Sequence, residues 1–147
     1  MHRAYLANMT RHAQCQCGAL SADVEGDHEA VVLCSCLECQ ARSGSAFGLG
    51  VYYQRAQVSL NGEAREYMRV ADSGKPFHQF FCPTCATTLY WYSGRDPDRI
   101  GIAVGAFADV EFPAPDRSVF EQSKHDWFSL PSEMPGFSRG RDSPRTR

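Results

Sequence analysis

The chain has 147 residues, 43% of them hydrophobic, which suits one domain with a real core and is too little for two independent ones. A formal charge of −2 argues against a nucleic-acid binder that works by neutralising phosphates. In the last ten residues Arg139, Arg141, Arg145 and Arg147 face only Asp142, so residues 138–147 are expected to form a basic, disordered tail behind an acidic body.

No apolar run approaches the roughly 20 residues needed to span a bilayer, and MHRAYLANMTRHAQ lacks the apolar centre of a signal peptide. A cytoplasmic protein without membrane contacts is expected. Seven cysteines then point to metal ligands rather than disulfides, because the cytosol keeps thiols reduced and an odd count cannot pair completely.

Residues 1–11 carry little pattern and read as an N-terminal extension. Cys15 and Cys17 follow as a CxC step with Gly18 behind it, a residue that lets the backbone turn tightly against sulfur. ALSADVEG alternates as a strand, and EAVVLC is a second strand that delivers Cys34. CSCLECQARSG is a metal knuckle, with Cys34, Cys36 and Cys39 inside six residues; strand-like AFGLGVYY comes next. Gln57 to Leu60 and Ala64 to Val70 read as a hairpin turning at Asn61-Gly62. After a turn at 72–76, Phe77 to Phe81 leads to Cys82 and Cys85, whose CPTC spacing is the usual two-residue zinc knuckle.

TTLYWY and RIGIAVGAF are strands around an SGRDPD turn. Beyond Phe107 prolines interrupt the chain, and Trp127, Phe128 and Phe137 are expected to anchor it to the body. Helical periodicity is weak and short apolar runs are broken about every ten residues, so the fold class is mainly β.

Cys15, Cys17, Cys82 and Cys85 make a CxC plus CxxC set that closes one zinc with four thiolates, a structural site that ties distant parts of the chain together. Cys34, Cys36 and Cys39 offer three thiolates and leave a fourth position for a substrate, the pattern of a catalytic zinc. A histidine could instead close that site, with His28, His78 and His125 as candidates.

The run Cys15-x-Cys17-Gly18, CSCLECQARSGSAFG, the NGE turn, FFCPTCATTLYW and the late Trp127 resembles the glutathione-dependent formaldehyde-activating enzyme family over residues 12–137. The resemblance implies a zinc-binding β-domain of several coiled antiparallel sheets, a fold shared with methionine-R-sulfoxide reductases. It also implies two Zn²⁺ per chain: a structural one at Cys15, Cys17, Cys82 and Cys85, and a substrate-side one at Cys34, Cys36 and Cys39. The implied activity is that of a carbon–sulfur lyase, which joins formaldehyde to glutathione as S-hydroxymethylglutathione. Three positions depart from the family's usual residues: Ala13 and Ala86 in place of glycine, and Ser35 in place of histidine.

The expected partners are thus a small thiol such as glutathione and a small aldehyde. Arg42, Arg55, Arg69 and Lys75 are candidate partners for the thiol's carboxylates, and Tyr52 or Tyr53 could line a pocket. The competing reading is a non-catalytic, zinc-stabilised thiol-binding or interaction domain. Sulfoxide reduction ranks low, because it needs a free nucleophilic cysteine and none follows Cys85.

Overall fold

A computed structural model describes residues 9–147; the first eight residues of the expected N-terminal extension lie outside the described residues. The fold is mainly β and divides into two compact units. One comprises the chain up to Glu29 together with Val51–Phe112, the other Ala30–Gly50 together with Pro113–Arg147. No helix is long and apolar enough to cross a membrane.

In the first unit, β1 (Thr10–Gln14), β2 (Ser21–Glu25) and β5 (Val58–Asn61) form an antiparallel sheet with β2 in the middle. Alternation places Ala13, Ala22 and Val24 in the core, while His12 and Asp23 pair outside at 2.8 Å. β6 (Arg65–Val70), β7 (Pro76–Phe81), β8 (Thr88–Ser93) and β9 (Asp96–Ala103) run as an antiparallel meander. Leu89, Tyr90, Trp91, Ile100, Gly101 and Ile102 are its buried residues. The turn between β8 and β9 is tighter than SGRDPD suggests, since Ser93 already faces Asp96.

The hairpin expected at Asn61-Gly62 does not form. β5 pairs with β2 and β6 with β7, so the two segments part company at the turn. Gly62 does take a positive φ of 97°, but it serves a close approach: a Cβ there would lie 2.0 Å from the Ala19 carbonyl oxygen.

In the second unit, β3 (Ala30–Cys34) is buried up to its last residue and pairs with β10 (Arg117–Val119), in register Arg117↔Val32 to Val119↔Cys34. This pair is parallel, an exception to the expected antiparallel pattern. It hands Ser35 on to the Val119 carbonyl through a backbone bond of 3.1 Å. The short helix α1 (Leu37–Ser43) follows directly, and β4 (Gly48–Gln54) starts in this unit before contributing buried Val51 and Tyr53 to the first.

Of the three expected anchors, Phe128 packs on Phe47 at 5.5 Å and Phe137 lies under Arg145, but Trp127 is 73% exposed and its ring meets His125 and Phe128 of its own segment. Residues 138–147, expected from their composition to be disordered, have partners. Thr146 bonds back to the Gly136 carbonyl, and Arg147 reaches Glu121 at 2.7 Å.

The Glu121 side chain is only 5% exposed and accepts from both Thr146 and Arg147. Burial alone raises its pKa, but the hydrogen bonds, Arg147's foremost, outweigh this and hold the carboxyl below its ordinary value. With the folded pKa below the unfolded one, the stabilisation is complete above the unfolded value and is lost as pH falls through the folded one. Arg147→Ala is expected to lower stability by about 1–3 kcal/mol at neutral pH. The same change should flatten the acid side of the stability curve, which urea unfolding at several pH values would read.

Candidate metal centres

The four-thiol set lies in the first unit where two turns meet. Cys15 and Cys17 leave the end of β1, with a Gly18 N–H to Cys15 carbonyl bond of 3.1 Å closing the turn; Cys82 and Cys85 leave the end of β7. The sulfur atoms of Cys15 and Cys17 are 3.6 Å apart, as are those of Cys17 and Cys82 across 65 residues, and all four sulfurs lie within 4.8 Å of one another. Thiolates at about 2.3 Å from a tetrahedral ion would be separated by about 3.8 Å, so the spacing fits a shared metal. All seven cysteines are free thiols.

Backbone amides point at these sulfurs, Leu20 N–H to Cys15 at 3.3 Å and Thr84 N–H to Cys82 at 3.4 Å. The Thr87 hydroxyl and amide, with the Cys17 amide, hold the Cys85 thiol down at about 5, which favours the thiolate a metal needs.

Ala86 closes the second turn with its N–H on the Cys82 carbonyl at 2.8 Å and has a φ of +65°. This is the left-handed conformation that a methyl side chain disfavours, and it is the strain expected from alanine at this position. Ala86→Gly is therefore expected to stabilise the protein by about 0.5–1 kcal/mol, after the added unfolded-state entropy of glycine is counted. Thermal unfolding should show a rise of about 2–4 °C.

The three-thiol set lies in the second unit at the step from β3 into α1. Cys34 ends β3, Cys36 caps the helix and Cys39 sits in its first turn, with the Cys36 sulfur accepting the Cys39 N–H at 3.3 Å. Gly44, at φ +67°, closes the other end by donating to the Gln40 carbonyl. The three sulfurs are half-buried and lie within 4.8 Å of one another. Hydrogen bonds from the Cys34 and Cys36 thiols hold Cys39 down at about 2, and the Arg42 guanidinium adds to this, while Cys34 is pushed up. A bound cation would favour thiolates throughout the cluster. Gly48 makes room for Arg42, since a Cβ there would fall 2.5 Å from Nη2 of Arg42 and 3.1 Å from Cβ of Cys39.

Among the described residues, no histidine or carboxylate joins these three sulfurs. His28 packs edge-on to Tyr53, His78 bonds Glu66 and stacks on Tyr92, and His125 bonds the Gln40 carboxamide at 2.9 Å. Of the candidate cations, Arg42 alone reaches the thiols. Arg55 lies over Tyr92, Arg69 over Phe77, and Lys75 is an exposed turn residue. Tyr53 is fully buried core, and Tyr52 accepts from the Trp91 indole at 3.1 Å beneath Arg99, so the two serve packing in the first unit.

Sequence inspection misses Gln40 and Ser123. The Gln40 carboxamide nitrogen donates to the Ser35 carbonyl at 2.9 Å and to the Ser123 carbonyl at 3.0 Å, and the Ser123 hydroxyl donates to the Ser35 carbonyl at 2.8 Å. These bonds brace the loop between Cys34 and Cys36 from behind. Ser35 itself is fully buried, and its hydroxyl has no hydrogen-bond partner among the described residues.

A mainly β fold with two clusters of thiols, each able to hold a metal ion, defines the class of protein. The model of the family described as glutathione-dependent formaldehyde-activating enzyme matches residues 10–123, so the chain belongs to that family, whose activity is the glutathione-dependent activation of formaldehyde. The match begins at β1, two residues inside the expected N-terminal extension. A crystal structure of a Rhodobacter sphaeroides protein from a structural genomics programme is similar in fold, with a TM-score of 0.53 and 19% identity. The alignment covers 71% of this chain and 91% of that one, and at such identity the likeness speaks for the fold alone. No curated protein matches the chain.

Proposed function

We propose that the protein is a cytoplasmic zinc enzyme of the carbon–sulfur lyase type, which forms and breaks the adduct between glutathione, or a related thiol, and formaldehyde or another small aldehyde. The observation that carries this is the three-thiol set with no fourth protein donor among the described residues, inside the span matched by the family. Cys15, Cys17, Cys82 and Cys85 would hold a structural zinc, and Cys34, Cys36 and Cys39 a second one. Zinc at the second site would supply a Lewis-acidic centre that favours thiolate over thiol at neutral pH.

The chain's own residues then position the reactants. Arg42 places a permanent cation beside Cys39, suited to an incoming thiolate or to a glutathione carboxylate. Gln40 and Ser123 hold the loop so that the three sulfurs stay converged. Phe47, Phe128 and Trp127 form a run of rings, 5.5 Å between successive centroids. Addition of a thiol to formaldehyde is fast unaided, so these positioning terms are most of what a protein must supply.

Metal analysis combined with exchange NMR tests the proposal. Two zincs per chain, saturable glutathione binding and faster interconversion of formaldehyde with S-hydroxymethylglutathione are the expected results. Two zincs and glutathione binding without faster interconversion would reduce the protein to a thiol-binding module.

A further inference from the structure

β6 ends its sheet, and no strand pairs with its outer side among the described residues. Strands at a sheet edge are normally blunted by shortness, lysine, proline or a bulge. β6 has six residues, against five, four and three for the other edge strands β1, β5 and β10. It holds no lysine or proline, and its pairing with β7 runs unbroken from Arg65↔Phe81 to Val70↔Pro76. Its three apolar side chains are all more than half exposed, Tyr67 at 54%, Met68 at 52% and Val70 at 69%. Alternate residues of such an edge turn their N–H and C=O groups outward, where another strand can take them up.

The charges of REYMRV decide how a second copy would fit. Two copies related by a twofold axis pair antiparallel with each sheet face continuous across the junction, so one residue sits opposite its own copy. Centring the pair on Arg65, Glu66 or Arg69 sets like charges face to face. Centring it on Tyr67 does so twice, with Arg65 opposite the copy's Arg69 on either side of the axis. A pair centred on Val70, the last residue of the strand, has almost no overlap. Met68 at the centre avoids every one of these conflicts. Met68 then meets Met68, Glu66 meets Val70 and Tyr67 meets Arg69. Arg69 already lies over Phe77 at 4.5 Å, and the copy's Tyr67 would bring a second ring to the same guanidinium. On the other face Met68 stands opposite His78, which stacks on Tyr92 at 4.7 Å, and Glu66 keeps His78 as its own partner.

From this self-complementarity we infer that the open edge of β6 is the interface of a homodimer, in which a second copy of the chain adds its own β6 antiparallel about Met68. The backbone supplies the attraction, as in other strand additions, and the charges supply the register. One pair of short strands is a small contact, so the dimer should have a dissociation constant on the order of 10 µM.

Sedimentation equilibrium of the full chain, from well below to well above that concentration, tests the inference. A non-thiol reductant in the buffer excludes disulfide-linked dimers. The wild type is expected to follow a monomer–dimer equilibrium. Met68→Lys sets two ammonium groups opposite each other at the axis and should weaken the dimer about tenfold or more. Val70→Lys sets a lysine opposite the copy's Glu66 twice and should tighten the dimer about threefold, a gain that misfolding cannot mimic. In the register centred on Tyr67 the same lysine would face only Ala64. A wild type that stays monomeric throughout, a dimer indifferent to Met68→Lys, or one that Val70→Lys fails to tighten would each overturn the inference.

Discussion

Cys82→Ser is expected to leave no stably folded protein at room temperature. The Cys82 side chain is fully buried, and its sulfur lies 3.6 Å from that of Cys17, so it joins the end of β7 to the end of β1. A serine would bring a weaker ligand and a buried hydroxyl into a closed four-thiol set. Apparent binding free energies of structural zinc reach about 10–16 kcal/mol, whereas a domain of this kind has a net stability of about 5–15 kcal/mol. Losing even part of the first term is enough to remove the second. Circular dichroism of the variant, and of wild type treated with a strong chelator, should show the same loss of cooperative thermal unfolding. A variant that unfolds cooperatively within a few degrees of wild type would show that the four-thiol set contributes little to folding.

The cysteine framework is legible in the sequence because metal ligands follow short, fixed spacings, and CxC and CxxC already place sulfurs close together. The strands around buried faces are legible for a related reason. In β2 an alternating pattern names the inner face before any partner is known, and in β3 and β8 unbroken apolar runs announce strands buried at successive residues. β5 and β6 are mostly exposed on both faces, so nothing in their side chains selects a partner, and the Asn61-Gly62 signal stands alone. That signal reports a positive φ correctly, but not what the φ is for.

Other features leave almost no trace in the sequence. Helix α1 is seven residues long, too short for a period to emerge, and its N-cap is a cysteine rather than the usual serine or aspartate. The brace behind the thiol loop joins Gln40 to Ser123, 83 residues away, through backbone carbonyls that no residue type announces. Tail composition does not announce the Arg147–Glu121 pair, since the buried carboxylate's need for a cation shows only once the fold is known.

Cys36→Ser should separate the chemistry from the fold, and the reason lies in the cap. In the wild type the Cys36 sulfur accepts the Cys39 N–H at 3.3 Å, a task that a serine hydroxyl performs at least as well at a helix N-terminus. The Gly44 cap and the bonds from Gln40 and Ser123 do not involve the Cys36 side chain. With the three-thiol site metal-free in both proteins, stability is therefore expected to stay within about 1 kcal/mol of wild type, and only the stabilisation that zinc binding adds is lost. The thiol cluster, however, falls from three sulfurs to two, and a bound cation would lose a third of its neutralising thiolates. Metal analysis should find one zinc per chain in place of two. Calorimetry should find no glutathione binding, and formaldehyde exchange should return to the uncatalysed rate. Activity surviving in a folded Cys36→Ser protein with one zinc would move the reaction away from this loop, because Cys34 and Cys39 alone cannot hold the ion on which the proposed chemistry depends.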